Sequence, residues 1–163
     1  MPRVVCVYFP YLPTERIRRH GPEGVPADQP LVVISRCGSK RWISAADPTA
    51  LKLGLRVGMP ASKAQAMISN LVMIDADPRA DAAAVERLAL WCLRTYSPIV
   101  AVDGIDGVVL DTEGADHLHK GEALMISGLV NTLWHRGLTA RAAISDTWGA
   151  SHALARLSGV ETM

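Results

Sequence analysis

The carboxylates of one short segment are the first candidates for chemistry. From Val102 to Gly114 the chain reads Val-Asp-Gly-Ile-Asp-Gly-Val-Val-Leu-Asp-Thr-Glu-Gly, with Asp103, Asp106, Asp111 and Glu113 set in and around an apolar run. Clustered carboxylates bind hard divalent cations, and an Asp within an apolar strand needs a compensating partner. Asp106 is therefore a candidate metal ligand. The plainer alternative is that Asp103 and Asp106 only make turn hydrogen bonds. Asp111 lies an odd number of residues from Asp106, so on one extended strand the two face opposite sides and cannot share an ion. His117 and His119 with Asp116 form a second grouping, but residues i and i+2 do not share a helix face, and a polar surface turn competes with any metal role. Ser62, Ser145 and Ser151 lack a Gly-x-Ser-x-Gly elbow. Neither a Gly-x-Gly-x-x-Gly run nor a Walker loop is present.

Such groups need elements to position them. Residues 3–9 are β-branched and aromatic, which predicts a buried strand closed by Pro10 and Pro13, then a helix over 14–20. Residues 21–30, rich in Gly and Pro, read as a loop. Residues 31–35 and 42–45 flank Arg36-Cys-Gly-Ser-Lys-Arg41, a hairpin whose basic tip could contact phosphate through Arg36, Lys40 and Arg41 or simply be solvated. Arg16, Arg18 and Arg19 raise the same pair of readings. Asp47-Pro48 caps a short helix that Gly54 ends, and a further helix fits 60–69 with Ala64, Met67 and Ile68 on one face. Asp77-Pro78 opens a longer helix with Val85, Leu88, Ala89 and Cys92 in register. Strands over 99–102 and 105–110 flank a turn at Asp103-Gly104. A helix over 120–135, a strand over 139–144 and a helix over 148–157 follow, the last with Ala150, Ala153, Leu154 and Leu157 aligned. Trp91, Trp134 and Trp148 are expected to pack in a core or an interface. Strand 3–9 and the second half give β-α-β-β-α-β, the split-βαβ ferredoxin-like order, with an inserted subdomain after the first strand.

Composition limits the function classes. The 163 residues carry 17 Lys+Arg against 16 Asp+Glu, a net charge of +1 that excludes a whole-surface electrostatic grip on nucleic acid but not a local one. Hydrophobic residues make up 49%, enough for a real core, and no apolar run reaches the ~18–20 residues of a membrane helix. Cys6, Cys37 and Cys92 are odd in number and widely spaced, which argues against a disulfide framework or a zinc site. The N-terminus lacks a signal-peptide pattern, so a cytoplasmic chain is expected.

The order of strand, inserted subdomain, Asp-bearing hairpin, helix and strand resembles the palm and fingers of Y-family translesion DNA polymerases of the UmuC/DinB type. Four motifs support the likeness: Pro30-Leu-Val-Val-Ile34, Ala50-Leu-Lys-Leu-Gly-Leu-x-x-Gly-Met-Pro60, Leu110-Asp-x-x-Gly114 and Ala143-Ile-Ser145. Val7-Tyr-Phe-Pro-Tyr-Leu-Pro-Thr-Glu-Arg16, Asp103-Gly-x-Asp-Gly107 and Gly114-Ala-Asp-His-Leu-His-Lys-Gly-Glu122 are most similar to the polymerase-like subunits of bacterial damage-induced mutagenesis complexes. The resemblance implies an α+β fold: a ferredoxin-like split-βαβ palm from 1–11 and 76–163, with a small α/β fingers subdomain at 12–75. The family's thumb and little-finger domains are expected to be absent from this chain, which reads as the front portion of a longer protein.

The departures from the family pattern are as informative. Active members place a metal-binding Asp where this chain has Tyr8, and an Asp-Glu pair where it has Asp106-Gly107. Two-metal phosphoryl transfer holds its ions about 3.5–4 Å apart. Their repulsion is on the order of 17 kcal/mol at an effective dielectric of about 20, which bridging carboxylates must offset. Asp106, a lone remnant, could hold one Mg²⁺ weakly, so no cofactor is expected to be required. The family's Tyr-x-x-Arg grip on the triphosphate aligns with Pro48 and Leu51, whose side chains donate no hydrogen bond. Asp146 stands where a Lys would approach the phosphates. The resemblance therefore implies a noncatalytic adaptor in DNA-damage tolerance, a pseudo-polymerase with weak DNA contact. Its implied partners are an error-prone replicative-type polymerase, a RecA-like accessory protein and the sliding clamp. The rivals are an active translesion polymerase with replacement ligands such as Asp103, and a simple nucleic-acid-binding ferredoxin-like module.

Overall fold

The computed structural model describes residues 2–22 and 25–158. In chain order the elements are β1 (Val4–Tyr8), α1 (Leu12–His20), β2 (Leu31–Cys37), β3 (Lys40–Ala46), α2 (Pro48–Lys52), α3 (Ala61–Met67), β4 (Val72–Asp75), α4 (Pro78–Thr95), β5 (Ile99–Val102), β6 (Gly107–Asp111), a 3-10 turn (Asp116–His119), α5 (Glu122–His135), β7 (Arg141–Ser145) and α6 (Trp148–Ser158). They form two compact units, one of residues up to Pro10 with those from Arg79 onward, the other Tyr11–Pro78. No helix among the described residues is long and apolar enough to cross a membrane.

The first unit is the split-βαβ arrangement. Its sheet runs β5-β6-β1-β7, with every neighbouring pair antiparallel. Register puts Val5 opposite Leu110 and Ile144, and Val7 opposite Val108 and Ala142. Side chains alternate along a strand, so these share one face, whose core continues into Val85 and Cys92 of α4 and Met125, Ile126, Leu129, Val130 and Leu133 of α5, all buried. The other face carries Val4, Cys6 and Tyr8 beside Gly107, Val109 and Ala143. Cys6, Gly107 and Ala143 are small, and α6 lies on this floor. Ser151 Oγ donates to Val4 O at 2.6 Å, and Cys6 Sγ is 3.9 Å from Trp148 O. Burial raises the Cys6 thiol to about 11, with Asp103 adding to it and Arg156 opposing, and lifts that of Cys92 to about 12.

The second unit holds a sheet ordered β3-β2-β4, β2 pairing antiparallel with β3 and parallel with β4. Val32, Ile34, Ile43, Ala46, Ala50, Leu55, Ala61 and Ala64 form its core. The strand β4 was not expected from the sequence. It has only four residues, half-buried Val72, Met73 and Ile74 followed by exposed Asp75, too short a run to show a period. What orders it is the parallel ladder on β2.

Several other expectations need correction. Asp106 lies in the turn ahead of β6 rather than inside a strand. The aligned stripe of α6 faces outward: Leu154 and Leu157 are 44% and 80% exposed, while Ser151 and Ala155 are buried. Trp134 and Trp148 are half exposed rather than packed. Met67 is likewise exposed, although Ala64 beside it on α3 is buried. Arg18 is not a free surface cation: it donates to Pro26 O, Gln29 O and, at 2.7 Å, to Asp47 Oδ2.

Candidate functional site

The hairpin between β5 and β6 brings the chemistry-bearing residues to one end of the sheet. Gly104 takes a positive φ of 68° in the turn, and Asp103 N–H closes it onto Gly107 O at 2.8 Å. The Phe9 N–H also donates to Asp106 O at 2.8 Å, tying the turn to the end of β1. Tyr8 and Gly107 are therefore direct partners across β1 and β6.

Above them lie His152 and Arg156, one turn apart on α6. Arg156 Nη2 donates to Asp106 Oδ1 at 2.9 Å, and its guanidinium carbon stands 4.9 Å from the centre of the Tyr8 ring, a cation-π distance. The buried Asp103 carboxylate lies 2.8 Å from His152 Nδ1 and 3.7 Å from Arg156 Nη1. Arg156 Nη1 is also 3.0 Å from His152 Nδ1. One ring nitrogen cannot serve both neighbours at once: protonated it donates to Asp103, unprotonated it accepts from Arg156. The Trp148 ring covers His152 at 5.1 Å between centroids. Among the described residues, no three His, Cys, Asp or Glu side chains come together so as to hold a metal ion.

Gly107 is closed in as well. A Cβ there would meet the carbonyl oxygens of Asp103 and Val7 at 3.0 Å and Arg156 Nη2 at 3.5 Å. Asp146, beyond β7, accepts from Arg3 Nη1 at 2.5 Å, while Arg3 also grips Glu122 at 2.6 Å through Nε and Nη2. Those hydrogen bonds raise the Arg3 pKa and hold the Glu122 carboxyl below its usual range.

In the second unit, Pro48 is exposed at the first position of α2, and Leu51 packs against the unit's core. Lys40 and Arg41 are exposed at the β2–β3 tip, with Arg36 opposite Arg41 and paired to Asp75 at 3.1 Å. His119 stacks at 5.1 Å on Tyr96, and the Asp116 side chain lies outside the described residues. Sequence reasoning missed His152 and Arg156. Their i, i+4 spacing on α6 was visible, but nothing in it told which side of the helix meets the sheet.

Residues 15–156 match the model of the impB/mucB/samB family. A curated relative, protein ImuB of Caulobacter vibrioides, is 53% identical over 104 residues, a match that takes in 64% of this chain and 22% of ImuB. Among solved structures, Dbh DNA polymerase in a post-insertion binary complex aligns with TM-score 0.74 at 20% identity, covering 97% of this chain and 46% of that one. DinB from Sulfolobus solfataricus aligns with TM-score 0.72 at 21% identity, covering 99% and 48%. At that identity the two structures establish the shared fold.

Proposed function

The chain belongs to the impB/mucB/samB family, and from that membership we propose that it is the palm-and-fingers part of a noncatalytic, polymerase-like adaptor in bacterial DNA-damage tolerance, working in the cytoplasm. The observation that carries this reading is the guanidinium of Arg156 on Asp106 and over Tyr8. Where the family resemblance expects carboxylates to gather two divalent cations, this chain presents Asp106 already paired with a fixed cation, the guanidinium of Arg156. Asp103, the candidate replacement ligand, is engaged by His152. The donor set does not fit a metal pair, and Asp106 is at most a remnant for a single weakly held Mg²⁺. Pro48, Leu51 and Asp146 give no grip on a triphosphate, because two are apolar and the third is anionic.

The similarity to ImuB supports assigning this chain the adaptor role: contact with damaged or primed DNA, weak in this part of the protein, and association with an error-prone replicative-type polymerase, a RecA-like accessory protein and the sliding clamp. Lys40 and Arg41 are the proposed phosphate contacts within the chain. Two measurements test the reading. Titration with Mn²⁺ in the presence of a deoxynucleoside triphosphate, followed by electron spin resonance, is expected to give the spectrum of the Mn²⁺–nucleotide complex alone, unchanged by added protein. Primer extension with Mg²⁺ or Mn²⁺ is expected to give no templated incorporation. Micromolar Mn²⁺ binding or robust incorporation overturns the noncatalytic reading.

A further inference from the structure

The first unit's sheet ends at β5, whose outer edge is open. Among the described residues β5 is paired with β6 alone. Hydrogen-bonded and non-hydrogen-bonded pairs alternate along an antiparallel ladder. With Asp103 N–H bonded to Gly107 O, Ala101 and Ile99 also turn their polar groups toward β6, and Val100 and Val102 turn theirs outward. The side chains of these two valines, opposite Leu110 and Val108, fall on the face that α4 covers, but α4 does not close over them. A groove of about 320 Å³ remains, lined by Glu86, Ala89, Leu90 and Leu93 of α4 and by Val100, Ala101 and Val102. Leu90 and Leu93 are half exposed.

We propose that this edge and groove bind an extended peptide segment of a partner protein, added as a strand beside β5, with alternate apolar side chains under α4 and a basic residue against Glu86. The open backbone of Val100 and Val102 supplies two donors and two acceptors at strand spacing. Every second side chain of an added strand points into the groove and covers Leu90 and Leu93. Glu86 is the one charged residue lining the groove, so a Lys or Arg complements it. A docked helix leaves the outward polar groups of β5 unpaired, and a second copy of the chain brings the same carboxylate. Within Ile99-Val-Ala-Val102 no Lys or Pro blocks the sheet edge, which Pro98 bounds on its N-terminal side. The proposal is independent of whether the hairpin site is catalytic.

The probe is a short fluorescein-labelled peptide of alternating valine and threonine with lysine at both ends, titrated into the chain by anisotropy and by amide chemical shifts. Saturable binding with shifts at Val100 and Val102 is expected. Val100→Pro removes an outward N–H at an edge position that accepts proline, and should weaken binding about tenfold or more with the melting temperature kept. Leu90→Asp, which alters the groove wall without touching the strand, should also abolish binding. Glu86→Lys should weaken it roughly two- to fivefold, the scale of one exposed ion pair. The proposal is overturned if the peptide does not bind saturably, if Val100→Pro and Leu90→Asp bind as the wild type does, or if a glutamate-ended peptide binds better. A wild-type dimer that Leu90→Asp converts to monomer also overturns it, since the edge then belongs to a second copy.

Discussion

At the scale of single residues, the hairpin site turns on what a cation does when it is part of the chain. Arg156 meets Asp106 at 2.9 Å with side chains 25% and 36% exposed. Water therefore screens the pair partly, and its worth is that of a half-exposed ion pair rather than a buried one. A double-mutant cycle on Arg156→Met and Asp106→Asn, read by urea unfolding, should give a coupling of about 1 kcal/mol; coupling near zero would remove the pair as a structural feature. Gly107→Glu restores the carboxylate that the family pattern expects, yet its Cβ would enter at 3.0 Å from two carbonyl oxygens. Overpacking of this kind costs roughly 1–3 kcal/mol, so the variant should unfold at lower urea than wild type, and an unchanged midpoint would show that the floor under α6 yields freely. The cysteines separate by the same local logic. Cys37 is exposed, whereas Cys6 and Cys92 are buried with thiols pushed up to about 11 and about 12. Only thiolates react. Native protein at pH 8 should release one equivalent of thionitrobenzoate from Ellman's reagent, and unfolded protein three; a fast second equivalent in the native state contradicts the burial.

At the scale of elements, Asp47 shows how one side chain can hold several segments. It is buried, accepts from Ala50 N–H at 2.8 Å as the cap of α2, and takes Arg18 of α1 at 2.7 Å. Asp47→Ala removes the cap and leaves the guanidinium facing a hole. The cap is worth about 1 kcal/mol and the broken pair more, so a loss of roughly 2–4 kcal/mol is expected by chemical denaturation. Asp47→Asn should recover the cap's share alone, and equal losses in the two variants would argue against a separate contribution from the cap. Half of this was legible in the sequence: Asp47-Pro48 announces a cap and a first helical residue, but Arg18 pairs across 29 positions of chain, which no local pattern records. The same limit explains α6. Its spacing of Ala150, Ala153, Leu154 and Leu157 identified a helix correctly, yet the face against the sheet is chosen by the small floor of Cys6, Gly107 and Ala143, which admits Ser151 and Ala155 and turns the larger side chains outward. For β4 the information lies in β2, its partner. By contrast, the order β-α-β-β-α-β was readable because its helices are long enough to show their period and its short strands are apolar, β-branched runs bounded by turn residues such as Asp103-Gly104.

At the scale of the whole first unit, a three-way ion cluster closes the sheet. Arg3, just ahead of β1, joins Glu122 at the start of α5 and Asp146 beyond β7, so the central strand, a helix and the loop after the last strand meet in one charged contact. The Glu122 carboxyl is held below its ordinary range chiefly by its hydrogen bonds to Arg3. A carboxyl depressed in the folded state contributes stability that is present above its unfolded pKa of about 4.3 and is lost as pH falls through the lower folded value. The melting temperature of the wild type should therefore fall more steeply below about pH 4.3 than that of Glu122→Gln, whose side chain does not titrate. Above that pH the variant should melt at a lower temperature than wild type, and the two curves should converge in acid. All three side chains are substantially exposed, so the difference should also shrink in concentrated salt. Parallel curves for the two proteins across this range would mean that Glu122 titrates alike folded and unfolded, and the cluster would then not be a clasp on the sheet.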